Sequence, residues 1–114
     1  MNKEIFGVKM NICFSYLYRD AGNFKNFGEA NFTNPNEFSL ENLSARIKLA
    51  LLDETYFDAY MVGLPELFFE DYDDELDHDW HEFELLDYVQ GNSELVILSS
   101  IDDFILRLEN NKLT

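Results

Sequence analysis

Apolar and polar residues alternate from Val8 to Arg19. Val8, Met10, Ile12, Phe14, Tyr16 and Tyr18 fall on one side, and Lys9, Asn11, Cys13, Ser15 and Arg19 on the other. A period of two over this length predicts a half-buried β-strand. Asp20-Ala21-Gly22-Asn23 is turn chemistry, since Gly and Asn tolerate positive φ. Residues 24–32, FKNFGEANF, read as a second, antiparallel strand in which Gly28 marks a bulge or a close contact. Asn34-Pro35-Asn36 breaks the sheet. Ser39 is the expected N-cap of a helix, with Phe38 and Leu43 placed as a hydrophobic staple and Leu40, Leu43, Ile47, Ala50 and Leu51 at helical spacing. That helix is expected to fade between Asp53 and Thr55.

Tyr56 to Val62 reads as a third strand, ended by Gly63-Leu64-Pro65, and residues 66–82 as an acidic loop with a helix as the alternative. His81 to Val89 alternates again, Gln90-Gly91-Asn92-Ser93 is a turn, and Glu94 to Leu98 is a short apolar strand. Ser100 can cap a last helix, with Asp103 three residues on and an apolar stripe of Ile101, Phe104, Ile105 and Leu108. The order ββαβββα predicts an α+β fold: an antiparallel sheet of about five strands with two helices packed on one face. At 114 residues this is one expected domain, residues 1–114.

Composition sharpens the picture in one respect. Eleven Phe and six Tyr supply enough apolar surface for a core, which a disordered acidic tail would lack. Charge is distributed unevenly. Residues 1–48 hold six basic and five acidic residues, whereas residues 49–106 hold no Lys or Arg and 17 Asp or Glu. The net charge of −15 therefore resides in the C-terminal half. Phosphate backbones and anionic membranes need clustered Lys and Arg, so direct nucleic-acid or membrane binding is disfavoured. No apolar run reaches the roughly 18 residues of a membrane span, and the N-terminus has no signal-peptide pattern. The single Cys13 lies in a predicted strand, where a small half-buried thiol is the ordinary expectation. A cytoplasmic location is expected.

The densest chemistry is the string EDYDDELDHDWHE, residues 70–82. Asp71, Asp73, Glu75, Asp77, Asp79 and Glu82 follow the ligand spacing of an EF-hand calcium loop, but Leu76 stands where the sharp turn needs Gly. His78 and His81 lie three residues apart among carboxylates, which suits a transition metal, so Asp71, Asp73, Glu75, His78 and His81 form the candidate metal set. The neighbouring carboxylates predict histidines that carry charge near neutral pH. HEFE is not HExxH, and GxSxG, P-loop, GxGxxG and CxxC patterns are absent, so no cofactor is expected and no catalytic residue is nominated.

A binding role fits this pattern better. Asp71, Tyr72, Asp73, Asp74, Glu75, Asp77, Asp79, Trp80 and Glu82 form the candidate partner-binding set, a carboxylate face with aromatic anchors that would steer onto a basic protein surface. Phe68 and Phe69 are further candidate anchors. Arg19, Asp20, Asn23 and Lys25, with Asn26, form a second polar cluster around the hairpin turn, a possible recognition site on a loop.

The strings FSYLYRDAGNFKNFG (14–28) and DELDHDWHEF (74–83) together resemble a family of small uncharacterised bacterial proteins with an RDAGNxKNxG hairpin and a DWHEF-like segment. The resemblance covers about residues 8–83; it implies a bacterial or phage origin and a shared fold, and transfers no activity. The expectation is a non-enzymatic acidic protein that engages a basic protein partner, as an inhibitor, an immunity protein or antitoxin, or a nucleic-acid mimic. A metal-binding domain is the alternative. Oligomeric state leaves no trace in the sequence.

Overall fold

The alternating segment from Val8 to Arg19 forms the central strand of the sheet, and everything else is arranged around it. The computed structural model describes residues 4–5, 8–91 and 96–114. Its elements are β1 (Glu4–Ile5), β2 (Val8–Arg19), β3 (Lys25–Thr33), α1 (Leu40–Leu49), β4 (Tyr56–Phe57), β5 (His81–Gln90), β6 (Ile97–Ser100) and α2 (Ile101–Asn110). The sheet runs β4-β5-β2-β3-β6, and β1 pairs antiparallel with the first residues of β2.

The fold is α+β, but the order is βββαβββα and not the expected ββαβββα, because the two-residue strand β1 precedes β2. The sheet is mixed, however, and not antiparallel as expected. β3 and β6 pair in parallel, Asn31 with Ile97 and Thr33 with Ser100. The reason is topological. β5 lies antiparallel to β2, hence parallel to β3, and β6 joins the far edge running the same way instead of folding back as a hairpin. Periodicity reports which residues are strand, but carries no information on such a crossover. Part of the expected turn, Asn92-Ser93, and the start of the expected strand, Glu94 and Leu95, lie outside the described residues.

Two further boundaries moved. The predicted strand from Tyr56 to Val62 shrinks to Tyr56–Phe57. Asp58 Oδ1 accepts the Met61 N–H (3.2 Å), Gly63 N bonds Tyr60 O, and Leu64 N bonds Ala59 O, so the chain curls into consecutive turns. Ala59, Val62 and Leu64 are nonetheless buried, which is why the segment reads as apolar. The first helix ends at Leu49, earlier than expected, and Asp53 and Glu54 take left-handed conformations just beyond it. Both N-caps behave as the sequence implies: Ser39 Oγ accepts from Asn42 N (3.0 Å), and Ser100 Oγ from Asp103 N (3.1 Å).

One face of β2 carries the core. Ile12, Phe14 and Tyr16 are buried against Leu43 and Ile47 of α1, Phe104 and Ile105 of α2, and Phe32 and Ala30 of β3. Phe14 meets Phe104 edge-on at 4.9 Å, and Phe32 stacks on Phe104 at 4.5 Å. Each such burial contributes about 1.5–3 kcal/mol. The helices do not cover the whole face. Over its hairpin end, above Tyr16, Tyr18 and Gly28, the roof is the irregular chain that begins at Leu64. The opposite face, with Cys13, Ser15, Phe27 and Glu29, has no layer on it among the described residues.

Candidate partner-binding face

The acidic segment is a loop up to Trp80, after which β5 begins at His81. It is far from a free tether. Tyr16 OH donates to Pro65 O (2.7 Å) and Tyr18 OH to His78 O (2.7 Å), so two strand hydroxyls grip both ends of the loop. Asn26 Nδ2 donates to Leu67 O (3.1 Å). Phe68 packs edge-on against Tyr18 at 4.9 Å and touches Tyr72 at 4.8 Å. The site expects a small residue beneath it. A Cβ on Gly28 would lie only 3.0 Å from Leu67 Cδ1 and 3.2 Å from the Tyr16 ring, so this glycine serves a close approach. The β2–β3 register runs through Gly28 unbroken, so no bulge is present there.

His81 is the hub of this anchorage. Its side chain is fully buried, ringed by Tyr16, Tyr18, Phe57 and Phe68. Leu67 N–H donates to Nε2 (2.9 Å), which fixes the ring as the tautomer protonated on Nδ1, and Nδ1 faces Asp79 O at 3.3 Å. Burial pushes its pKa below the ordinary value of 6.5. This corrects the expectation of a histidine charged by its acidic neighbours, because desolvation outweighs the attraction of Asp58.

The carboxylates divide into two groups. Asp77 is structural: Oδ1 accepts Ala21 N–H (2.8 Å) and Oδ2 accepts Asp73 N–H (2.9 Å). These two backbone donors hold its pKa below the usual carboxylate range. Asp73 Oδ1 accepts Glu75 N–H (2.8 Å), Asp79 accepts the Tyr72 hydroxyl, and Glu82 takes Arg19 in a two-pronged pair at 2.8 and 3.2 Å. The hydrogen bond to Asp79 raises the Tyr72 pKa. Asp71, Asp74 and Glu75 are exposed, and with them stands Leu76, an apolar side chain 71% exposed among acids. Trp80 is 37% exposed and leans on Tyr56 at 5.7 Å. Phe68, Phe69 and Tyr72 turn inward instead, so Leu76 and Trp80 are the apolar anchors this face presents. Leu76 was visible in the sequence only as the wrong residue for a calcium loop.

The two candidate surfaces are one. The Ala21–Asp77 and Tyr18–His78 bonds lock the hairpin to the loop, and Arg19–Glu82 ties the end of β2 to the start of β5 beside it. Within the turn, Asn23 takes φ 68°, Asp20 Oδ1 accepts Phe24 N–H, and Arg19 donates to Asn23 Oδ1. Lys25 is exposed at the start of β3. Negative charge converges here: burial, then Asp77, Asp20 and Asp79, push the Tyr18 hydroxyl up to about 12.

The candidate metal set is not gathered. Among the described residues no three His, Cys, Asp or Glu side chains cluster to hold an ion. His81 Nε2 is already occupied by Leu67 N–H, His78 Nδ1 accepts Trp80 N–H (3.1 Å), and of the EF-hand positions Asp73 and Asp77 accept backbone N–H groups, Asp79 the Tyr72 hydroxyl and Glu82 the Arg19 guanidinium. Among the described residues no helix is long and apolar enough to cross a membrane. A surface cavity of 540 Å³ lies elsewhere, along α1 between Glu41, Lys48 and Glu54. Comparison with family models, with curated proteins and with solved structures returned no match.

Proposed function

We propose that the chain is a cytoplasmic, non-enzymatic binding protein, and that the end built from the acidic loop and the hairpin turn engages a basic surface on a partner protein. The observation that carries this reading is the double anchorage of the loop. Hydrogen bonds from Tyr16, Tyr18, Ala21 and Asn26 hold residues 65–78 against the sheet while Asp71, Asp74 and Glu75 remain exposed. A loop whose only role is solubility has no need of such ordering, whereas a docking face gains from it because less freedom is lost on binding. Leu76 and Trp80 supply apolar contact amid the charge, as the centre of an interface requires. Inhibitors, immunity proteins, antitoxins and nucleic-acid mimics share this demand for ordered carboxylates.

The test uses the immobilised chain to retrieve basic partners at low salt, followed by affinity measurement on the partner obtained. The variant Asp71→Asn/Asp74→Asn/Glu75→Gln removes exposed charge and leaves the staple Asp77 in place. Its affinity should fall at least tenfold, about 1.4 kcal/mol, with a shallower salt dependence. Unchanged affinity in this variant would remove the loop from the interface.

A further inference from the structure

The sheet face that no described residue covers is the second place where the molecule presents an organised surface. The registers place Phe27, Leu17 and Glu82 in one row across β3, β2 and β5, and Glu29, Ser15 and Leu85 in the next. The third row is Ile97, Asn31, Cys13 and Asp87. Leu17 is buried within this face, yet Phe27 is 57% exposed and Leu85 47%. A break in register follows Ser15: Ser15 pairs with Leu85, but Tyr16 pairs with Phe83, leaving Glu84 as an extra residue. Such a bulge turns two consecutive side chains to one side, so Glu84 and Leu85 both face outward. Glu84 thereby joins Ser15, Phe27, Gly28 and Glu29 around a groove of 430 Å³.

Lys9 begins this side of β2, but around the groove itself the charge is negative, from Glu29 and Glu84, with Asp87 one row on. Glu29 and Asp87 both act on the Cys13 thiol between them, whose pKa burial and then Glu29 push up. Lys25 and Arg19 lie at the hairpin end, and Arg19 is committed to Glu82. A chain of net charge −15 opposes a second copy, a phosphate backbone or an anionic membrane on this face. An apolar strip flanked by carboxylates fits a segment whose own side chains alternate apolar and cationic.

We propose that this groove docks a cationic amphipathic segment of a partner protein, its apolar side chains over Phe27 and Leu85 and its lysines or arginines at Glu29, Glu84 and Asp87. The inference stands apart from the loop reading, since it uses the other face of the sheet. The test titrates a short peptide of alternating leucine and lysine into the nitrogen-15-labelled full chain. Amide shifts should centre on Ser15, Leu17, Phe27, Glu29 and Leu85. Phe27→Ser/Leu85→Ser should weaken binding at least tenfold, and so should Glu29→Gln/Glu84→Gln/Asp87→Asn, which leaves the packing alone. The loop variant Asp71→Asn/Asp74→Asn/Glu75→Gln should keep the pattern of shifts on the face.

Shifts confined to residues 70–80, with full affinity in both face variants, would overturn the proposal while leaving the loop reading intact. An equal response to a leucine–glutamate peptide would overturn it too. So would self-association of the free chain that Phe27→Ser/Leu85→Ser abolishes, because the occupant would then be a second copy.

Discussion

Two side chains bear more of the loop than their appearance in the sequence suggests. His81 sits in an acidic string and looks like a ligand or a charge switch, but works as a neutral, buried acceptor for Leu67 N–H. Its folded pKa lies below the unfolded value of 6.5, so the unfolded chain takes up the proton first as pH falls. Stability should therefore be full above about pH 6.5 and decline below it, as far as the folded pKa. Thermal melts between about pH 7.5 and 5.5 should show this loss, and His81→Leu should be less stable at pH 7.5 but lack the slope. An unchanged slope in that variant would locate the titration elsewhere. Asp77 is the second case. Asp77→Asn keeps the shape but weakens acceptance from Ala21 and Asp73, so amide hydrogen exchange at those two positions should quicken while β2 stays protected. The carboxylate pattern alone could not separate Asp77 from Asp74, because the partner of each is fixed by where the hairpin turn lands.

At the scale of elements, most of the fold was legible because most of it obeys a simple period. β2 and α2 match their expected residues closely, and the stripe Ile101, Phe104, Ile105, Leu108 is buried as its spacing implies. What failed was long-range. The parallel β3–β6 pairing depends on contacts distant in sequence, whereas the curl of residues 58–64 is made by local turn bonds, with Arg107 Nε donating to Val62 O from afar. The roof over Tyr16 and Tyr18 was illegible for the same reason: a loop rich in acids carries the aromatic residues Phe68 and Tyr72 inward. Gly28 is where this roof can be tested. Gly28→Ala forces Leu67 and Tyr16 apart by a few tenths of an ångström and should cost about 1–3 kcal/mol, with amide shifts spreading through residues 65–69. A neutral outcome would mean that Leu67 is not seated there.

For the molecule as a whole, charge and fold pull against each other. Seventeen acids with no intervening cation between residues 49 and 106 repel one another, and the packed core must outweigh that repulsion. Raising ionic strength from about 0.01 to 0.15 M shortens the screening length from about 30 to 8 Å, so the Tm should rise. Calcium, magnesium, manganese and zinc should each add a small and similar increment, since no three of the described ligand side chains cluster to hold an ion. An ion at a hundred times its Kd would add about 2.7 kcal/mol, and a rise of that size for one ion alone would revive the metal reading.

An acidic loop anchored at Pro65, Leu67, Asp77 and His78 is an ordered face and not a solvated tether. Nitrogen-15 relaxation of the free chain tests it most directly. Backbone order parameters near 0.85 from residue 72 to 80, level with β2, are expected of such a face. Values below about 0.6 across that stretch would contradict it, and the carboxylates would then serve solubility alone.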